Sequence, residues 1–182
     1  MKDAHSSNIN VFNNQLPKIG AGSFVHSTSV LIGQVEIGIN CSIWPNTVIR
    51  GDVNFIRIDE GTNIQDLCML HVNHRSEMEP EGSPLMIGKY VTVGHSVILH
   101  GCKIEDECLI GMGSIVMDNA IIEKNVVLGA GSLVSSGKVL EGGFLYLGSP
   151  ARKIRKLSAD EISSIKVSAE QYILLKDQYL KG

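Results

Sequence analysis

The sequence predicts an all-β fold, a parallel β-helix of hexapeptide repeats with about six triangular coils, followed by a C-terminal α-helix. Three observations predict it. An aliphatic residue returns every six positions, the count breaks only after a third hexapeptide, and helical spacing begins only beyond residue 158. The repeat runs Ile19, Val25, Leu31, Ile37, Ile43, Ile49; then Ile58, Ile64, Leu70; then Ile87, Val93, Leu99; then Ile104, Ile110, Val116, Ile122, Leu128 and Val134. Such a period marks stacked solenoid coils, and coils of three hexapeptides exclude an ordinary amphipathic helix. The breaks from Ile49 to Ile58, Leu70 to Ile87 and Leu99 to Ile104 fall where a corner can gain or lose residues without breaking the stack. Four residues after most repeat positions stands a small or β-branched residue, among them Ser29, Val35, Cys41, Thr47, Val53 and Cys68. These suit an inward strand position. His74, Lys103 and Lys138 are the exceptions, at the long insertion, the shortened corner and the end of the array.

The elements follow in order. Residues 1–18 form an N-terminal segment, polar and weakly ordered over its first ten residues. Residues 19–139 are the β-helix. Residues 140–157 are a connector, where Ser149-Pro150-Ala151 and the basic run Arg152, Lys153, Arg155 and Lys156 break the repeat and lie in solvent. Ser158 to Glu161 reads as a capping box. From there Ile162, Ile165, Ala169, Tyr172, Ile173 and Tyr179 recur at helical spacing, giving one amphipathic helix within 158–182. Its apolar face must lie on the β-helix or on a neighbouring subunit.

Bulk properties narrow the function. With 182 residues, 43% hydrophobic but only 5% aromatic, the chain is one domain with an aliphatic core. A net charge of -3 offers no basic footprint for nucleic acid. No apolar run approaches the roughly 20 residues of a membrane span, and residues 1–18 lack the apolar middle of a signal peptide, so no membrane contact is expected and the cytoplasm is the default compartment. Cys41, Cys68 and Cys108 take inward repeat positions and Cys102 lies near a corner, which predicts free structural thiols.

The repeat frame also sorts the six histidines. His71 and His100 each follow the aliphatic residue of a third hexapeptide, so they share one corner column on consecutive coils, about 4.8 Å apart. Arg50 holds the same slot one coil earlier. His95 and Asp66 share a different column, two residues after the repeat position of a second hexapeptide. Five residues of strand separate His95 from His100, a reach of up to roughly 16 Å, whereas zinc ligands need nitrogens at about 2.0–2.1 Å from one metal. One chain alone does not close such a site. In a symmetric trimer the two columns of neighbouring chains can meet, giving three histidines and one open position, the catalytic type of zinc site. Arg50 would pair with Asp66 or Asp52 across that interface. His5 and His26 have no partner.

At Arg50-Gly-Asp52, Asn63-Ile-Gln65-Asp66, His71, Val93-Gly-His95 and Leu99-His100-Gly101 the chain resembles the gamma-class carbonic anhydrase family, over residues 17 to about 156. Ile43-Trp-Pro45, Ile110-Gly-Met-Gly113 and Tyr146-Leu-Gly-Ser-Pro150 extend the match. The resemblance implies a left-handed coil, a homotrimer, and a metal at each subunit interface, zinc with iron or cobalt as alternatives. His71 and His100 would bind it from one chain and His95 from the next. Arg50, Asp52 and Asp66 would order the interface, Gln65 would contact metal-bound solvent or substrate, and Tyr146 matches a pocket tyrosine. The implied reaction is attack of zinc-bound hydroxide on carbon dioxide to give bicarbonate. Three positions depart from the best-known archaeal member: Val53 and His74 stand where it has acidic residues, and Gly148 where it has an asparagine. Proton export is the step these departures weaken; His74, with Glu77, Glu79 and Glu81 nearby, is the replacement shuttle. Hexapeptide β-helices also include acyltransferases and thioesterases acting on acyl-coenzyme A, and a metal-stabilised scaffold without turnover is a further alternative.

Overall fold

The computed structural model describes residues 8–77 and 79–181. They form a left-handed parallel β-solenoid with a single C-terminal helix. Repeat residues stack in register along three faces: Ile43, Ile64, Val93, Ile110 and Leu128 on one; Leu31, Ile49, Leu70, Leu99, Val116 and Val134 on another; Ile37, Ile58, Ile87, Ile104 and Ile122 on the third. Almost all are fully buried and form one core. Removing such a side chain, as in Ile64→Ala, typically costs about 2–5 kcal/mol. Ile19 is 38% exposed because it sits on the outermost rung, paired only on one side.

Corners need left-handed backbone, and asparagine provides it at Asn40, Asn46, Asn119 and Asn125, where a short amide tolerates positive φ. Where a corner departs from six residues, the inward position changes hands. Val53 was expected inside and is 45% exposed. The strand Val48–Ile58 carries the extra residues, and Ile56 takes the inward place opposite Val35. At the shortened corner Cys102 is drawn into the core and Lys103 points outward, since deleting one residue shifts the alternation.

Both ends hold more structure than the repeat alone suggests. Ile9–Asn10 pairs with the strand Val30–Ile37, within the stretch expected to be weakly ordered; residues 1–7, including His5, lie outside the described residues. Beyond residue 139 the six-residue count continues through Leu140 to Tyr146, which stack on Ile122 and Leu128. The chain then reverses, and Arg152–Lys156 pairs antiparallel with Phe144–Leu147 as an exposed edge.

Helix α1 (Ala159–Lys181) begins with a reciprocal cap: Ser158 N–H donates to Glu161 at 2.8 Å and Glu161 N–H to Ser158 Oγ at 3.2 Å. It lies over the face bearing Phe24, Ser42, Asn63 and Thr92. Ile165 and Ala169 are buried. Tyr172 packs on Trp44 with ring centres 5.7 Å apart, and Tyr179 on Trp44 and Phe24 at 5.2 and 5.5 Å. Lys176 is buried as well, its ammonium paired with Asp177, which helical spacing of apolar residues did not foretell. Among the described residues no helix is long and apolar enough to cross a membrane.

Candidate metal centre

Parallel pairing places His71 directly beside His100, in register on adjacent strands. His71 Nδ1 and His100 Nε2 face each other at 3.1 Å. The other nitrogen of each ring meets a carboxylate: His71 Nε2–H donates to Asp52 Oδ1 at 3.0 Å, and His100 Nδ1–H to Asp118 Oδ1 at 2.6 Å. A carboxylate only accepts, so each outer nitrogen carries a proton, and the inner nitrogen is the one left to bind a metal through its lone pair. In the metal-binding form the two inner nitrogens are lone pairs aimed at one another.

Two lone pairs at that distance repel unless a cation lies between them. Nitrogens bound to one tetrahedral zinc at about 2.0–2.1 Å stand about 3.3 Å apart, close to the separation observed. The pair therefore fits a metal. Carboxylate support of this kind fixes the tautomer and orientation of ligating histidines.

His95 follows the same design at the next corner. Its Nδ1 pairs with Asp66 Oδ2 at 2.9 Å, leaving Nε2 as the available donor, on a side chain 47% exposed. The corner is held by Ser96 N–H on the Asp66 carbonyl at 2.9 Å, with Ser96 in the left-handed region. Among the described residues no three histidine, cysteine or acidic side chains of this one chain converge as a metal site, which agrees with His95 lying at a separate corner.

Electrostatics favour the ligand form of His71. Burial lowers its pKa below the usual imidazole value, and Arg50 and His100 add to that against the hydrogen bond to Asp52. Burial alone would raise Asp52, but hydrogen bonds from Arg50, at 2.5 Å, and from His71 outweigh it and hold the carboxyl below its ordinary value. Arg50 thus pairs with Asp52 of its own chain. Asp66 is the partner of His95, and burial, with the Asp66 charge adding to it, raises the pKa of Tyr172.

The remaining predicted residues are dispersed. Gln65 is buried and its Nε2–H donates to Asn63 Oδ1 at 3.3 Å, while Asn63 Nδ2–H donates to Thr92 Oγ1 at 2.9 Å. His74 is exposed on the insertion after His71. Tyr146 is buried in the last rung, its hydroxyl 3.4 Å from the Glu141 carbonyl and three rungs along the sheet from Val93. His26 is not isolated: its Nδ1 lies 2.9 Å from Thr28 Oγ1. Asp118 went unnoticed in the sequence; it lies one rung beyond His100 and one residue past the shared column.

The bacterial transferase hexapeptide (six repeats) family matches residues 17–51 and 101–136. A carbonic anhydrase of Geobacillus kaustophilus is 43% identical over 171 residues, covering 94% of this chain and 90% of the relative. Gamma carbonic anhydrase 1 of Arabidopsis thaliana mitochondria is 42% identical over 168 residues, 92% of this chain and 60% of that longer relative. The crystal structure of a hexapeptide transferase family protein from Anaplasma phagocytophilum superposes with a TM-score of 0.89 at 40% identity, covering 96% of this chain and 99% of that one. The chain belongs to the gamma-class carbonic anhydrase family of hexapeptide-repeat proteins.

Proposed function

We propose that the protein hydrates carbon dioxide to bicarbonate at metal centres shared between the subunits of a homotrimer, with His71 and His100 from one chain and His95 from the next. The observation that carries this is the set of three carboxylate-supported histidines, two of which turn lone pairs toward one point. When bound, the metal supplies a Lewis acid that makes water nucleophilic at neutral pH. Zinc suits the three-nitrogen set, with iron or cobalt taken according to supply. The four free, buried cysteines support a reducing compartment such as the cytoplasm.

The chain's own surfaces support the assembly. On the histidine face Val48, Met69, Ile98, Ile115 and Leu133 stand in one outward column, with Met69, Ile98 and Ile115 each about 40% exposed. The second face is covered by α1, and the third carries Lys18, Glu36, Arg57 and Lys103 in ion pairs. An apolar column beside the histidines suits a subunit interface. Met112 and Met117, exposed one rung beyond His95 and His100, give the site apolar surroundings suited to a nonpolar gas.

Gln65 spends one amide N–H on Asn63, which leaves its second N–H to donate and its side-chain carbonyl to accept from a protonated oxygen of substrate or solvent. Tyr146 acts, in this reading, only on a site to which another subunit contributes. His74, exposed on the insertion after His71, is the proton acceptor in place of the acidic residues absent at positions 53 and 74, an imidazole being the side chain suited to proton transfer at neutral pH.

Exposed Val53, a residue with no proton to exchange, also favours a second reading: a metal-stabilised trimer that turns over little. Stopped-flow carbon dioxide hydration on metal-quantified protein, with His95→Ala and with added imidazole, separates the two. Activity lost in the variant and raised by imidazole is expected; a metal-loaded protein at background rate in every buffer supports the scaffold, and turnover of acyl-coenzyme A would support the transferase alternative.

A further inference from the structure

Ser83 closes the insertion that follows His71. Asn73 N–H donates to the Ser83 carbonyl at 3.0 Å and Ser83 N–H to the Asn73 carbonyl at 3.3 Å, pinning the ends of the loop together. Its side chain is 1% exposed, and its hydroxyl has no hydrogen-bond partner. A buried hydroxyl left unpaired forfeits its hydration for nothing, so such a group calls for a specific role.

Gly101 supplies the clue to that role. A Cβ at Gly101 would lie 2.3 Å from Asp118 Oδ1 and 2.6 Å from Ser83 Cβ, so the two side chains border the same small space, within about 5 Å of each other. Gly101 also takes φ 50°, a conformation that a side chain would strain. Asp118 already accepts the His100 Nδ1–H at 2.6 Å, and a carboxylate has lone pairs to spare for a second donor.

We propose that Ser83 is a positioning residue of the metal centre: by turning about its Cα–Cβ bond it donates its hydroxyl to the Asp118 carboxylate, fixing the group that orients His100. The insertion is thereby tied to the metal column through one hydrogen bond. This rests on the metal reading given above.

The test is zinc affinity, measured on chelator-stripped protein by competition with a chromophoric chelator, alongside the thermal midpoint of the metal-free form. Ser83→Ala is expected to weaken zinc binding about 10-fold, as loss of an outer-shell partner does, with the metal-free midpoint showing that the variant is folded. Ser83→Thr keeps the hydroxyl and should bind like wild type, while Asp118→Asn should weaken binding at least as much as Ser83→Ala. Wild-type affinity in Ser83→Ala overturns the proposal, as does a Ser83→Thr variant as weak as alanine, which would indicate packing. Failure of the wild-type protein itself to take up zinc would instead remove the metal reading and this inference with it.

Discussion

His71, His95 and His100 each lean on a carboxylate, Asp52, Asp66 and Asp118 respectively, and this pairing decides which nitrogen of each ring is free to bind. The positions of the histidines were legible in the sequence, because counting in sixes fixes which corner a residue occupies. Their partners were not. Asp52 and Asp66 read as interface charges, and Asp118 passed unnoticed, because a hydrogen bond between rungs depends on side-chain direction rather than on column. The thiols offer an independent check on burial. Burial pushes Cys41 and Cys68 up to about 11 and Cys108 up to about 12, and pushes Cys102 up as well. The thiolate is the reactive form, so native protein at pH 8 is expected to be inert to a thiol-specific chromogenic reagent, with all four cysteines reacting after denaturation. Rapid labelling of a native thiol would show that the core opens.

Among the elements, strands were legible wherever hexapeptides were intact, and misjudged where a corner gained or lost residues. Val53 left its expected inward place for that reason, and Cys102, read only as lying near a corner, entered the core, since one residue more or less turns the alternation over. The helix was read correctly from its cap and apolar spacing, but not its buried Lys176. Its N-terminus should be acid-sensitive. Hydrogen bonds from Arg155, then from the Ser158 backbone, lower Glu161 to about 2 from an ordinary value of 4.5. A carboxylate lowered in the folded state stabilises fully above its unfolded value and loses that contribution as pH falls from about 4.5 toward 2. The helical circular dichroism signal is therefore expected to weaken over that range, with Glu161→Gln showing less pH dependence there. Because the group is exposed, added salt should shrink the difference. A helix signal that ignores both acid and the substitution would contradict the role given to this cap.

At the scale of the molecule the three faces divide the work. One is closed by α1, one is a charged surface of ion pairs, and one keeps an apolar column next to the histidines. Composition and repeat length made the solenoid readable, while the difference between faces needed the register of all rungs at once. If the apolar column is the subunit interface, Ile98→Glu should convert the assembly to monomers by light scattering while the β-helix stays folded, since Ile98 is 41% exposed in a single chain and surface substitutions usually change stability by no more than about 0.5 kcal/mol. An unchanged assembly would place the interface elsewhere. The sharing of the metal between chains is tested most directly by mixing two defective variants, His71→Ala and His95→Ala, as differently tagged chains and measuring tightly held metal in the mixed assemblies. Each variant alone is expected to hold none, and mixed assemblies to recover it where an intact His71–His100 pair faces an intact His95. Metal absent from every mixture, or retained in full by His95→Ala alone, would contradict a centre built from two subunits.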